Sequence, residues 1–333
     1  MKSSGQENCE ETMKEYNYDV LTSGYVSMDH IIKIAEPARV GFTSIVTNAD
    51  NTKTNYGGCG VNIASALCRL GKRAMPVLRV GPDWEENGFH AYLTENNIPT
   101  DAVTLIPGEA TSTCYLLQDK NGDHITIFYP GSMDKKYAQP IEDHFFWETR
   151  LGVITVASKQ DNRYFLDGCK KNGVPVVFGM KDDMDAFPVD FLREVLESST
   201  VIFTNEVERE LIEKLYGCAG ITKLFEIGRA LYIITTMGGD GSIVYEKTTE
   251  GYLEHRIPTS GITKEEIVDT TGSGDAYMSG FLYGMLNGRS AVECGCLGAA
   301  LADFVLRDVG CCTNLPTAEQ LEAKMAEIKE KLS

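Results

Sequence analysis

Short apolar runs separated by polar, amphipathic stretches recur along most of this chain, and the period of the hydrophobic positions changes between them. Residues 19–26 (DVLTSGYV) are an apolar run of strand length, while in 60–71 (GVNIASALCRLG) Val61, Ala64, Leu67 and Leu70 fall on one helical face. Further strands are predicted at 74–80, ending at Gly81, and at 151–157, 174–179, 200–204 and 231–236. Helical patterns over 161–171, 189–197 and 206–216 separate the later strands, and the last third reads as helix over 275–287, 291–306 and 317–332. Strands apolar on both faces that alternate with helices predict an α/β fold, with a largely parallel central sheet covered by helices on both sides.

Two stretches break this rhythm. Residues 31–56 are polar, rich in β formers and without helical periodicity, and 113–129 reads as a hairpin in which TCYLLQ and HITIFY flank 119–123 (DKNGD). Such pieces cannot bury both faces alone, so they predict a small antiparallel β lid over the edge of the main sheet. The lid is expected from about 31–57 and 103–131, within one domain over 18–333. Residues 1–17 are polar and acidic and read as a flexible tail.

Composition narrows the partners. A 43% hydrophobic share in 333 residues supplies a sizeable core, which excludes a disordered chain. The net charge of -17, without a long basic run, excludes nucleic acid and anionic membrane as partners. No window approaches the roughly 20 apolar residues of a membrane span. Ten cysteines without a CxxC spacing or a preceding secretory segment read as reduced thiols of a cytoplasmic protein, packed as small hydrophobes.

The sharpest chemical signal is 269–275 (DTTGSGD), followed by the helical pattern AYMSGFLYGMLNG. Gly272 and Gly274 allow a tight turn that presents backbone N–H groups at a helix N-terminus, an anion site. A carboxylate there repels the anion unless it takes a proton, so Asp275 is either a helix cap or the base beside a transferring phosphoryl group. Asn205 and Glu208, directly after the strand VIFT, stand where α/β sheets bind ligands, and are equally a cap and a first-turn acid. Residues 236–242 (TMGGDGS) form a glycine-rich turn after a strand, Gly57, Gly58 and Gly60 precede a helix containing Asn62, and Asp29 follows the first strand.

In this order, and with GGCGVNIASALCRLG at 57–71 and DTTGSGDAYMSGF at 269–281, these features resemble the ribokinase (PfkB) family of sugar and nucleoside kinases over about residues 19–332. Neither a Walker A loop nor protein-kinase signatures occur. The resemblance implies Asp275 as catalytic base and the amides of Gly272, Ser273 and Gly274 as the anion hole. It implies that Asp29, Gly57, Gly58 and Asn62 hold sugar hydroxyls. Asn205 and Glu208 match the element that organises Mg2+ near the ATP phosphates, and Thr236, Gly238 and Gly241 match the nucleotide loop. Asp269 and Thr271 match positions that in many members bind a monovalent cation such as K+. Ser273 stands where Ala is commonest, and 310–313 (GCCT) departs from the pattern in the adenine-side loop.

The lid bears on the acceptor. Residues 128–133 (FYPGSM) are similar to a segment of bacterial adenosine kinases in which the aromatic faces the purine, which implies that Phe128 stacks on a base. An aromatic strand residue that merely packs within the lid is the alternative. An ATP-dependent nucleoside kinase acting on the ribose 5′-hydroxyl is therefore expected, with a ribokinase-, fructokinase- or ketodeoxygluconate kinase-type sugar kinase as the alternative. The partners implied are ATP and a small nucleoside or sugar. Family members often pair as homodimers through their lids while others are monomers, so the resemblance leaves a homodimer and a monomer both open.

Overall fold

In the computed structural model residues 16–120 and 124–332 are described; most of the expected tail and the centre of the 119–123 turn lie outside them. The strands are β1 (Tyr18–Ser23), β2 (Ser27–Lys33), β3 (Asn55–Gly57), β4 (Ala74–Val80), β5 (Val103–Leu105), β6 (Thr113–Gln118), β7 (His124–Tyr129), β8 (Thr149–Ile154), β9 (Val176–Gly179), β10 (Ser199–Asn205), β11 (Tyr232–Thr236), β12 (Ser242–Thr248) and β13 (Gly251–Ile257). The helices are α1 (Cys59–Arg69), α2 (Phe89–Glu95), α3 (Asp143–Trp147), α4 (Lys159–Asn172), α5 (Val189–Ser198), α6 (Glu206–Tyr216), α7 (Leu224–Ile227), α8 (Ser273–Leu286), α9 (Ala291–Leu306) and α10 (Ala318–Glu330).

Among the described residues the strands form a nine-stranded sheet, ordered β13-β12-β11-β10-β9-β8-β1-β4-β5, and a four-stranded sheet, ordered β3-β2-β6-β7. From β5 across to β11 the large sheet is parallel, and β12 and β13 close one edge as an antiparallel hairpin. The central strands bury both faces, as a parallel sheet between helical layers must. One layer packs α1, α8, α9 and α10 around Leu67, Phe281, Leu301 and Ile328; the other packs α4, α5 and α6 around Phe165, Val195 and Ile212. Helices α8 and α9 are apolar nearly all round and approach closely through glycines: a Cβ on Gly280 would stand 2.3 Å from the Leu297 carbonyl oxygen.

The small sheet starts at β2, straight after β1, so the lid reaches back to Ser27 rather than beginning near 31. Its outer pairings, β2 with β3 and β6 with β7, are antiparallel, and β2 and β6 join them in parallel. Two corrections follow for the expected lid. Residues 103–105 pair with β4 and belong to the edge of the large sheet, because the chain runs on from α2 along that edge before it crosses to the lid. The stretch 34–54 contributes one isolated bridge, Ile34 with Val46, and little regular strand, its many polar residues having no second layer to pack against. No helix among the described residues is long and apolar enough to cross a membrane.

Candidate active site

The carboxyl ends of the parallel strands converge on the N-terminus of α8. A cavity of about 80 Å3 there is lined by Lys181 after β9, Asn205 at the end of β10, Glu208 of α6, Thr236 at the end of β11, and Gly274 and Asp275 of α8. Residues predicted from distant parts of the sequence thus share one space. Asp275 is buried, 4% exposed, in the first turn of α8, where backbone N–H groups have no intrahelical acceptor and the helix dipole favours negative charge. Gly272, at φ +75°, bends the chain into that turn, and a Cβ on it would stand 2.6 Å from Cβ of Cys311. Over Gly274, in contrast, an added Cβ meets nothing within 4 Å, so the loop faces open space.

Asn62, buried in α1, links this turn to the lid. Its Nδ2 donates to Oδ2 of Asp275 at 2.8 Å. A Cβ on Gly57 would stand 3.6 Å from Oδ1 of Asn62 and 2.7 Å from Oδ2 of Asp29, so glycine at 57 makes room for the Asp29 carboxylate beside Asn62. Gly58 adopts φ +97° and passes so near the Tyr25 carbonyl oxygen that a Cβ would stand 1.9 Å away. Burial pushes the Asp29 carboxyl up to about 6, while the hydroxyl of Ser27, which donates to it, pulls the other way.

Phe128 lies in register with this group. Across the lid, Asp29 of β2 is paired with Cys114 of β6, and Cys114 with Phe128 of β7. The three side chains therefore share one face, with Phe128 two strand spacings, roughly 10 Å, from Asp29. Phe128 packs edge-on against Tyr25 with ring centres 5.0 Å apart, and is 36% exposed.

At the cavity wall, Asn205 and Glu208 form a reciprocal cap at the start of α6: Asn205 Oδ1 accepts from the Glu208 amide at 2.9 Å, and Glu208 Oε2 accepts from the Asn205 amide at 2.8 Å. Burial raises the Glu208 carboxyl, offset by that backbone N–H and by Lys181. The cap and the functional reading coexist, since the pair also lines the cavity. Gly238, at φ +53°, has open space where a Cβ would lie, whereas Gly241, at φ +85°, is pressed against the Ile257 carbonyl and serves the turn. Asp269 Oδ1 accepts from the amide and hydroxyl of Thr271, and its Oδ2 accepts from the Gly310 amide at 3.0 Å. Asp269 thereby latches the 269–272 loop to the 310–313 loop.

Sequence reasoning missed Lys181, whose Nζ lies 4.0 Å from Oδ1 of Asp275. The rule that pointed to Asn205, a polar residue just past the carboxyl end of a strand, applies equally to it. It also missed that three cysteines surround the site. Cys311 packs on Gly272 and the Cys312 thiol donates to Oδ1 of Asn62 at 3.6 Å, so 310–313 covers the 269–272 turn and Asn62. Burial pushes the Cys59 thiol up to about 12 and Cys312 up to about 11, with Asp275 adding in both cases, and it raises Cys311 well above its ordinary range as well. These thiols stay protonated and serve as packing.

Among the described residues no cluster of His, Cys, Asp and Glu could by itself cage a metal ion. The cavity's donor set suits Mg2+, which is commonly held by one or two carboxylates together with substrate phosphates and waters.

A family model described as pfkB family carbohydrate kinase matches residues 19–318. The chain is 29% identical over 312 residues to a nucleoside kinase of Methanocaldococcus jannaschii, covering 91% of this chain and 95% of that one. It is 28% identical over 308 residues to 5-dehydro-2-deoxygluconokinase 2 of Bacillus cereus, covering 85% and 90%. The crystal structure of Methanocaldococcus jannaschii nucleoside kinase, an archaeal member of the ribokinase family, superposes with a TM-score of 0.82 at 25% identity, covering 94% of this chain and all of that one.

Proposed function

The chain belongs to the pfkB family of carbohydrate kinases and is a phosphotransferase with an alcohol group as acceptor, and from that premise we propose that it transfers the γ-phosphoryl group of ATP to the ribose 5′-hydroxyl of an adenosine-like nucleoside. The observation that carries the choice of nucleoside is the row Asp29, Cys114, Phe128 on one face of the lid. Asp29, with Gly57, Gly58 and Asn62, grips ribose hydroxyls, and an aromatic ring roughly 10 Å away is at the reach of the attached base. The nucleoside kinase relative is consistent with this reading.

The residues then act as follows. Asp275 accepts the proton of the 5′-hydroxyl as its oxygen attacks phosphorus, and Asn62 holds the Asp275 carboxylate in place. The N–H groups of Gly272, Ser273 and Gly274 receive the charge that develops on the γ-phosphoryl oxygens. Thr236 and Gly238 carry the nucleotide on the turn that Gly241 shapes, and Asn205 with Glu208 would hold Mg2+. Mg2+, when bound, supplies charge neutralisation between the phosphates. Asp269 and Thr271 position the anion turn, and a K+ ion beside them belongs to the same proposal. The lid excludes water from the reacting phosphoryl group.

Two copies are proposed to pair through the lids. The face opposite Asp29 carries Tyr115, Ile125 and Ile127, which are 41%, 49% and 53% exposed, and an apolar sheet face of this kind needs cover. A sugar-kinase reading keeps the same catalytic machinery, and the 5-dehydro-2-deoxygluconokinase relative favours it. ADP release measured with ATP and Mg2+ over a panel of nucleosides and of free sugars separates the two. Turnover of a nucleoside is expected, and turnover of sugars alone removes the role given to Phe128.

A further inference from the structure

We propose that Lys181 is a catalytic residue whose ammonium group binds the γ-phosphoryl group during transfer and offsets the carboxylate of Asp275 next to it. The proposal rests on the phosphotransferase reading above, not on the identity of the acceptor. A nucleotide triphosphate must enter a cavity that already holds two buried carboxylates, Glu208 and Asp275. Like charges at this separation oppose binding unless a cation intervenes. Among the described residues lining the cavity, Lys181 is the only cationic side chain.

Its placement suits that task. The backbone is held on both sides of the residue: the Met180 amide donates to the Phe203 carbonyl at 3.1 Å, and the Asp183 amide donates back to the Lys181 carbonyl at 2.9 Å. The side chain is 43% exposed and its Nζ stands 4.0 Å from Asp275 Oδ1, beyond hydrogen-bond reach, so its N–H groups can turn to a ligand beside the carboxylate. Asp275 raises the lysine above its ordinary range, so the ammonium stays charged at neutral pH. The open space over Gly274 lies in the same cavity, so a phosphoryl group at the α8 N-terminus meets the turn's amides on one side and Lys181 on the other.

In the transfer step the acceptor oxygen forms a bond to the γ-phosphorus as the bond from that phosphorus to the bridging oxygen breaks. The electron pair of the broken bond leaves on ADP and the hydroxyl proton passes to Asp275. Lys181 stays protonated throughout and changes partner, from the Asp275 carboxylate in the free enzyme to the phosphoryl oxygens in flight.

Lys181→Met and Lys181→Arg test this by two readouts. With whichever acceptor the wild type turns over, Lys181→Met is expected to lower kcat about 100-fold with acceptor KM little changed, and Lys181→Arg to recover part of the loss. By calorimetry, Lys181→Met should bind ADP as the wild type does and lose the wild type's extra affinity for a β,γ-imido ATP analogue. Lys181→Met should also lower the melting temperature somewhat, because the buried Asp275 carboxylate loses its neighbouring charge, so kcat and nucleotide preference are the deciding readouts. A lysine that only balances charge in the fold predicts a shifted melting temperature with kcat and nucleotide preference intact, and that result overturns the proposal. Because calorimetry uses no acceptor, a finding that only sugars are phosphorylated would sink the nucleoside reading and leave the Lys181 comparison standing.

Discussion

At the scale of single residues the account turns on Asp275, Asp29 and Gly272. Replacing Asp275 with Asn keeps the shape of the buried side chain and removes its ability to take a proton, so kcat should fall by about 10^2 to 10^4 while nucleotide affinity, read by calorimetry, persists. Asp29 carries a pH dependence. With its carboxyl pushed up to about 6 by burial, the ionised form that the proposal assigns to the ribose hydroxyls is lost as pH falls below that value, so acceptor KM should rise in acid with ATP KM steady. For stability the sign is opposite. The folded state holds this proton more tightly than the unfolded chain, so the contribution of Asp29 is complete below the ordinary value of 3.8 and is lost as pH rises through about 6. Asp29→Asn, which cannot ionise, should therefore gain melting temperature relative to the wild type between about pH 4 and about pH 7; a constant gap would rule burial out as the cause. Gly272→Ala combines a left-handed φ with a 2.6 Å approach to Cys311, and should cost about 1–3 kcal/mol in denaturant unfolding.

At the scale of elements the proposal places substrate choice in the lid. Phe128→Ala should raise KM for a nucleoside several-fold and leave KM for ATP alone, and an unchanged nucleoside KM would return Phe128 to simple packing against Tyr25. The lid also shows why sequence reading reached some elements and not others. The buried parallel strands and the cap of α6 were legible because an apolar run, a following Asn and a Glu three residues on are local signals. The register that sets Phe128 opposite Cys114 and Cys114 opposite Asp29 depends on a parallel pairing between β2 and β6, which no local pattern specifies. The hairpin β12–β13 went unread because its outer strand, mostly exposed at the sheet edge, has no apolar run to betray it. Lys181 was passed over although it follows a strand as Asn205 does, because no second polar residue at cap spacing marks it, and only the fold brings it to Asp275.

At the scale of the whole molecule, the doubly covered sheet gathers the carboxyl ends of its strands at one helix N-terminus, and the lid grows from the same edge immediately after β1. This arrangement brings Asn62, beside Asp29, onto Asp275 and sets Asn205, Glu208 and Thr236 in one cavity with it, the two places where the proposal puts acceptor and nucleotide. If two copies cover each other's lids, sedimentation should give a dimer that Ile127→Lys dissociates, whereas a wild-type monomer at micromolar concentration would end that part of the account. The central claim is chemical, and one measurement addresses it most directly: the identity of the product when the protein is incubated with ATP, Mg2+ and adenosine or another nucleoside, with the phosphate position assigned by NMR. The account predicts a nucleoside 5′-monophosphate formed in step with ADP by the wild type and almost none by Asp275→Asn. A phosphate at another position, phosphorylation of free sugars alone, or undiminished product from Asp275→Asn would contradict it.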